Sequence, residues 1–214
     1  MPENDAVIDL LGALAYGELS AFDHLADDAG LAPTLGGRTA MSALAAEEFA
    51  HYEELAARLS SLGARPEEAM APFVAALETY HSLTKPSTWL ESVVKAYVGY
   101  GLAGDFYREV AAFVDDDSGG LIKNVVTDAG RAEFAVREVE AAIRDQPAVA
   151  GRLALWGRRL VGEAISQTQH VLADRDSLML LLVQGTGDLA GVAGLIARIT
   201  DRHAGRMTAL GLDS

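Results

Sequence analysis

Residues 43–59 read ALAAEEFAHYEELAARL, a strongly helix-forming stretch whose apolar stripe is broken by a carboxylate and an imidazole. Apolar residues recur at the three- and four-residue spacing of one helix face through Met41, Leu44, Leu55 and Leu62. Glu48 and His51 take two positions in that same line. A buried ionised carboxylate is costly unless it is paired, hydrogen-bonded or metal-bound. The fold must therefore bring partners for both groups into its interior.

The rest of the chain follows the same helical period. A first helix is expected over 4–28, with Ile8, Leu11, Ala15, Phe22 and Leu25 on one line and Glu18 filling the gap. The breaker-rich AGLAPTLGG at 29–37 reads as a turn, and a second helix over about 38–62 stops at Gly63. Residues 64–88 form a long crossover containing a short amphipathic helix; Pro86 ends it, and Ser87 or Thr88 caps the next helix. That third helix runs over 89–114, the acidic DDDSGG at 115–120 reads as a turn, and a fourth covers 121–145. Further helices are expected at about 148–174 and from Leu189 towards Leu210. Strand-length β-branched runs are nearly absent, so the expected class is all-α. The expected organisation is one domain over 1–214, with a core bundle at about 4–145 and extra helices at about 148–211.

Two more acids share the unusual placement of Glu48. Asp105 lies in line with Val94, Val98, Gly101 and Ala112, and Asp128 with Ala132, Ala135, Val139 and Ala142. Glu18 and Glu48 are equally far from Pro33, so an antiparallel hairpin sets them at one height. Asp105 and Asp128 are matched about the acidic turn to within two residues, about 3 Å at the helical rise. Residues three apart are neighbours on a helix face, so Glu48 and His51 can ligate one ion while the carboxylate bridges to a second. Carboxylates with one imidazole per metal suit iron or manganese. The absence of cysteine leaves only such ligands.

Glu on the first helix, Glu-x-x-His on the second, an acid on the third and an acid near the start of the fourth resembles the ferritin-like di-metal carboxylate pattern. The stretches AYGELSAFD, AMAPFVAAL, VKAYVGYGLAGDFYREVAAFVD and LALWGRRLVGEA are similar to an actinobacterial branch related to tRNA 2-methylthio-isopentenyladenosine hydroxylase. The resemblance implies a ferritin-like four-helix bundle with a long crossover between its second and third helices and additional C-terminal helices. It implies metal ligands Glu18, Glu48, His51, Asp105 and Asp128, two irons (manganese being an alternative), and a hydroxylase acting on a modified tRNA nucleoside. An electron-donor protein would then be a partner, and a homodimer is compatible with the pattern.

One position departs from it. The family pattern puts a histidine three residues after Asp128, where this chain has Arg131. Arginine carries a permanent charge and is no substitute for an imidazole ligand. Arg131 is therefore expected to replace the second metal electrostatically, which leaves a competing expectation: a non-catalytic scaffold or interaction protein with a single-metal or metal-free centre. Iron storage is a third reading, disfavoured by the extra helices. Glu163, Gln167 and His170 step along the fifth helix and offer a second polar wall or a replacement ligand, against a competing apolar line of Leu160, Ala164 and Val171.

Other features read blandly. Tyr16, Tyr52, Tyr97, Tyr100 and Tyr107 are taken as bundle-surface packing, and Arg198, Arg202 and Arg206 as an exposed or ion-paired stripe rather than an RNA site. The formal net charge of −14 opposes docking to phosphate backbones, so tRNA binding draws no support from it. No phosphate-binding glycine loop or hydrolytic triad stands out. The amino-terminal residues lack the basic start of a secretory signal, and the longest apolar run, 178–183, is too short to span a bilayer, so a cytoplasmic protein without membrane insertion is expected.

Overall fold

A computed structural model describes residues 2–125 and 131–212; the side chains of residues 2–4 and 131 fall outside the description. Among the described residues all regular structure is helical, a ferritin-like bundle core followed by additional C-terminal helices. The first hairpin pairs α1 (Pro2–Asp28) with α2 (Leu35–Ser61). Thr34 caps α2, its hydroxyl accepting from the Gly37 amide at 3.1 Å. The crossover contains α3 (Pro66–Met70), a 3-10 turn (Ala71–Phe73) and α4 (Val74–Leu83). Of the two expected caps for α5 (Trp89–Val110), Thr88 serves, while Ser87 donates its amide to Glu91 at 2.7 Å.

The carboxy-terminal half differs from expectation in two places. The acidic segment is the start of a helix, α6 (Asp116–Asn124), and not a plain turn. Asp115 accepts from the Ser118 amide at 3.0 Å, and Asp116 and Asp117 sit in the first turn, where the helix dipole favours negative charge. The apolar run at 178–183 forms its own helix, α9 (Asp176–Thr186), burying Leu178, Leu181 and Leu182. Between α6 and α9 come α7 (Arg131–Asp145) and α8 (Val149–Asp174), and α10 (Leu189–Ala209) closes the series, capped by Asp188.

Leu25, Leu44, Tyr97 and Phe134, one each from α1, α2, α5 and α7, converge beside Glu48, which places the four rods around a common axis. Two indoles fasten the neighbours of α5: Trp89 donates to Glu138 on α7 at 3.1 Å, and Trp156 on α8 donates to the Glu91 carbonyl at 2.9 Å. With α8 and α10 also packed on it, α5 buries residues right around its circumference, including Val94, Val98, Asp105 and Tyr107.

Close approach of backbones decides one glycine. A Cβ on Gly12 would lie 2.3 Å from the Ala69 carbonyl oxygen, so α1 and α3 touch only because this residue has no side chain. In an unobstructed helix, glycine to alanine gains up to about 1 kcal/mol. Gly12→Ala is expected to reverse that sign and cost about 1–3 kcal/mol by overpacking, measured by urea denaturation.

Between α1, α4, α5, α8, α9 and α10 lies a cavity of about 300 Å³ with an almost wholly apolar wall. No single described helix is long and apolar enough to cross a membrane.

Candidate metal centre

Glu18 on α1 and Glu48 and His51 on α2 meet inside the first hairpin. His51 Nδ1 lies 3.4 Å from Glu18 Oε2 and 3.7 Å from Glu48 Oε2. Glu18 and Glu48 are only 5% and 6% exposed, so neither carboxylate is left to bulk water. The equal heights inferred from the turn at Pro33 are thus what the structure contains. Candidate ligand atoms from all three residues fall within 4.8 Å of one another, a donor set able to hold one metal ion.

Proton affinities reflect that crowding. Burial, and then the neighbouring Glu48, pushes the Glu18 carboxyl up to about 8, while hydrogen bonds from His51 and Tyr107 pull the other way. His51 is raised to about 9, chiefly by hydrogen bonding to Glu18 and then Glu48, with burial opposing. Near neutral pH the cluster therefore holds protons where an ion would bring its own positive charge. Tyr107 donates its hydroxyl to Glu18 Oε1 at 2.6 Å and is itself buried, so it is no surface-packing tyrosine. Burial raises that hydroxyl's proton affinity well above its ordinary value, which keeps it a donor.

Asp105 does not join this group. Tyr107 is the α5 residue that reaches Glu18, and at about 100° per residue Asp105 points roughly 200° away from it. There Asp105, 3% exposed, meets α10: Arg206 Nη1 donates to Oδ2 at 2.5 Å and Arg108 Nη1 to Oδ1 at 3.1 Å, with Arg202 Nη1 at 3.8 Å. The Arg206 guanidinium crosses α5 at Gly101, where an added Cβ would come within 2.5 Å of Arg206 Cδ and Nε. Arg206 is 14% exposed along its side chain, a charge placed in the interior to meet a charge. The expected convergence of Asp105 with Glu18 and Glu48 is corrected accordingly. The physical reason is the second buried face of α5: the line Val94–Val98–Gly101–Asp105 looks towards the carboxy-terminal helices, not into the hairpin.

Asp128 lies outside the described residues, as does the side chain of Arg131, whose backbone opens α7. Charge replacement at an acid of the expected set is carried by Arg206 from α10, a role the sequence pattern suggests for Arg131. On α8, Ala164 and Val171 of the apolar line face the cavity together with Gln167, His170 is exposed, and neither Glu163 nor His170 is part of the metal-ligating group among the described residues. Arg198 and Arg202 pair with Glu109 at 2.7 and 3.1 Å, so the basic stripe of α10 answers an acidic stripe on α5. The spacing Asp105–Glu109 against Arg198–Arg202–Arg206, acids and bases both repeating every four residues, was the available signal for this pairing.

His24, His81 and His203 lie apart from the acid cluster. His24 and His81 stack with ring centroids 3.9 Å apart, Ser20 Oγ lies 3.2 Å from His81 Nε2, and burial together with nearby Lys95 pushes His81 down to about 2, so it stays neutral. His203 is buried, and neither of its ring nitrogens has a hydrogen-bond partner among the described residues.

The expectation of a two-iron hydroxylase is not sustained by this geometry. Among the described residues a single three-residue group can hold a metal, and the acid expected to serve a second ion is bound by arginine. Comparison with known proteins agrees with the fold. The profile of a family described as a ferritin-like domain of actinomycetes matches residues 2–185, and the chain belongs to that family. No curated protein matches the chain.

Proposed function

We propose that this is a non-catalytic ferritin-like protein, a scaffold or interaction module, whose centre has been reduced to one half. In this reading the α1–α2 hairpin keeps a place for one divalent ion at Glu18, Glu48 and His51, and the other half has become an ion pair between α5 and α10. The observation that carries the reading is Arg206 on Asp105. A two-ion site needs carboxylates from further helices beside the first pair, and an acid already neutralised by a hydrogen-bonded guanidinium has no charge left to offer a cation.

Two carboxylates and one imidazole suit iron(II) or manganese(II) better than softer ions. Bound there, an ion would supply a cross-link between α1 and α2 and replace the cluster's protons. Tyr107 would orient Glu18 by donating to its other oxygen. Kinship with the tRNA hydroxylases is, in this reading, one of ancestry, and neither an electron donor nor tRNA has a part in it.

Metal stoichiometry tests the proposal. After incubation with manganese(II), or anaerobically with iron(II), and extensive dialysis, elemental analysis should find about one ion per chain. Glu48→Ala should bring that close to zero, because it removes a ligand and the hydrogen-bond partner of another. Two ions per chain in the unaltered protein would overturn the reading.

A further inference from the structure

The metal cluster makes no use of the large cavity between α1, α4, α5, α8, α9 and α10. We propose that it is a binding site for an uncharged lipid-like molecule, a hydrocarbon chain carrying at most a hydroxyl, of roughly a dozen carbon atoms. The size comes from comparison: an engineered apolar cavity of about 150 Å³ takes up benzene, and this one has about 300 Å³.

The wall determines the chemistry. No charged side chain lines it among the described residues, so an anionic head group would meet no counter-charge inside. Its polar groups are few and partly committed. The Tyr107 hydroxyl is given to Glu18, and the Thr168 hydroxyl to the Ala164 carbonyl at 2.8 Å. The cleft is partly open, and water inside it would find few of the two to four polar partners that an ordered water needs, so an apolar occupant displaces it readily. Occupants that fit are therefore apolar over most of their surface.

Entry is set by α8. Thr168 is exposed and Gln167 half-buried, whereas Leu14, Phe73 and Leu195 at the depth of the wall are fully covered. A molecule entering tail first places a terminal hydroxyl at Gln167, whose amide can both donate and accept. Gly17 and Tyr107 line one side, and Tyr107 also donates to Glu18. The proposal does not depend on whether the cluster binds metal.

The test titrates the full chain with 1-dodecanol and with dodecanoate, following melting temperature and heat of binding. Dodecanol should bind saturably at one per chain and raise the melting temperature, and dodecanoate should bind at least about tenfold more weakly at pH 8. Ala103→Phe and Ala164→Phe fill the cavity from α5 and from α8. Each should abolish dodecanol binding while leaving the unliganded protein melting at or above its original temperature. The proposal is overturned if the unaltered chain shows no saturable dodecanol binding, if dodecanoate binds as tightly, or if both folded variants bind dodecanol unchanged. It is also overturned if the apolar wall proves to be covered by a second copy, seen as a concentration-dependent dimer that both variants abolish. Should either variant fail to fold, the comparison of the two ligands on the unaltered chain decides alone.

Discussion

Arg206→Leu lowers the melting temperature by about 6–12 °C, the largest stability loss expected of any single substitution of a charged side chain in this protein. Removing one member of a buried ion pair costs about 3–5 kcal/mol, because the abandoned charge stays desolvated without compensation. Asp105 is 3% exposed, and Arg206 provides its shortest contact, at 2.5 Å. Arg108 at 3.1 Å remains in the variant and holds the loss near the lower figure, about 3 kcal/mol. For a chain of this length each kcal/mol moves the midpoint by about 2–4 °C. The double variant Asp105→Leu/Arg206→Leu removes both charges and should recover most of the loss, since replacing a buried pair by apolar groups is often close to neutral. A double variant as unstable as Arg206→Leu alone would show that the arginine acts through packing on Gly101 and not through charge.

Raising the pH from 6 to 8 should strengthen metal binding by roughly a thousandfold or more, the second large effect. An ion must displace the protons held by the cluster, so its affinity rises with pH until those groups ionise unaided. Glu18 titrates near 8 and His51 near 9, at or above the top of this window, so close to two protons should leave per ion bound. Calorimetry in buffers of different ionisation heat counts them directly. Release of no proton, or pH-independent affinity, would contradict the arrangement.

The same shifts contribute to how stability changes with pH in the metal-free protein. An unfolded glutamate ionises near its ordinary 4.5, while Glu18 in the fold holds its proton up to about 8, so stability declines as pH rises between them. His51 gains stability from its carboxylate partners below its ordinary 6.5 and loses that gain as pH climbs through about 9. Both act in one direction. Buried His81, pushed down to about 2, opposes them below about pH 7, and Lys95, pushed down to about 8, opposes them above about pH 8. Between about pH 7 and 8 the metal-free chain should therefore melt at lower temperature as pH rises, and saturating manganese(II) should reduce or reverse that decline.

The α1–α2 half of the centre was legible in sequence because its geometry is local. One turn centred on Pro33 fixes the heights of Glu18 and Glu48, and a three-residue step fixes His51. Asp105 was misplaced because α5 has two buried faces, and periodicity alone cannot say which of them looks at the hairpin. The partner that decides the matter, Arg206, comes from a helix 101 positions further along the chain. Its pairing could be suspected only by setting the charges of α10 against those of α5. Tyr107 was overlooked for a related reason: a tyrosine one face away from the supposed seam reads as packing, until the seam itself is moved. The acidic start of α6 shows the opposite error, where DDD read as turn composition is in fact a cap and first turn.

Anomalous diffraction from crystals grown with manganese(II) distinguishes one bound ion per chain from two. The half-centre account predicts one peak per chain, among Glu18, Glu48 and His51, with the Arg206 guanidinium still on Asp105. A second peak drawing Asp105 and Glu48 together around a shared ion would contradict it.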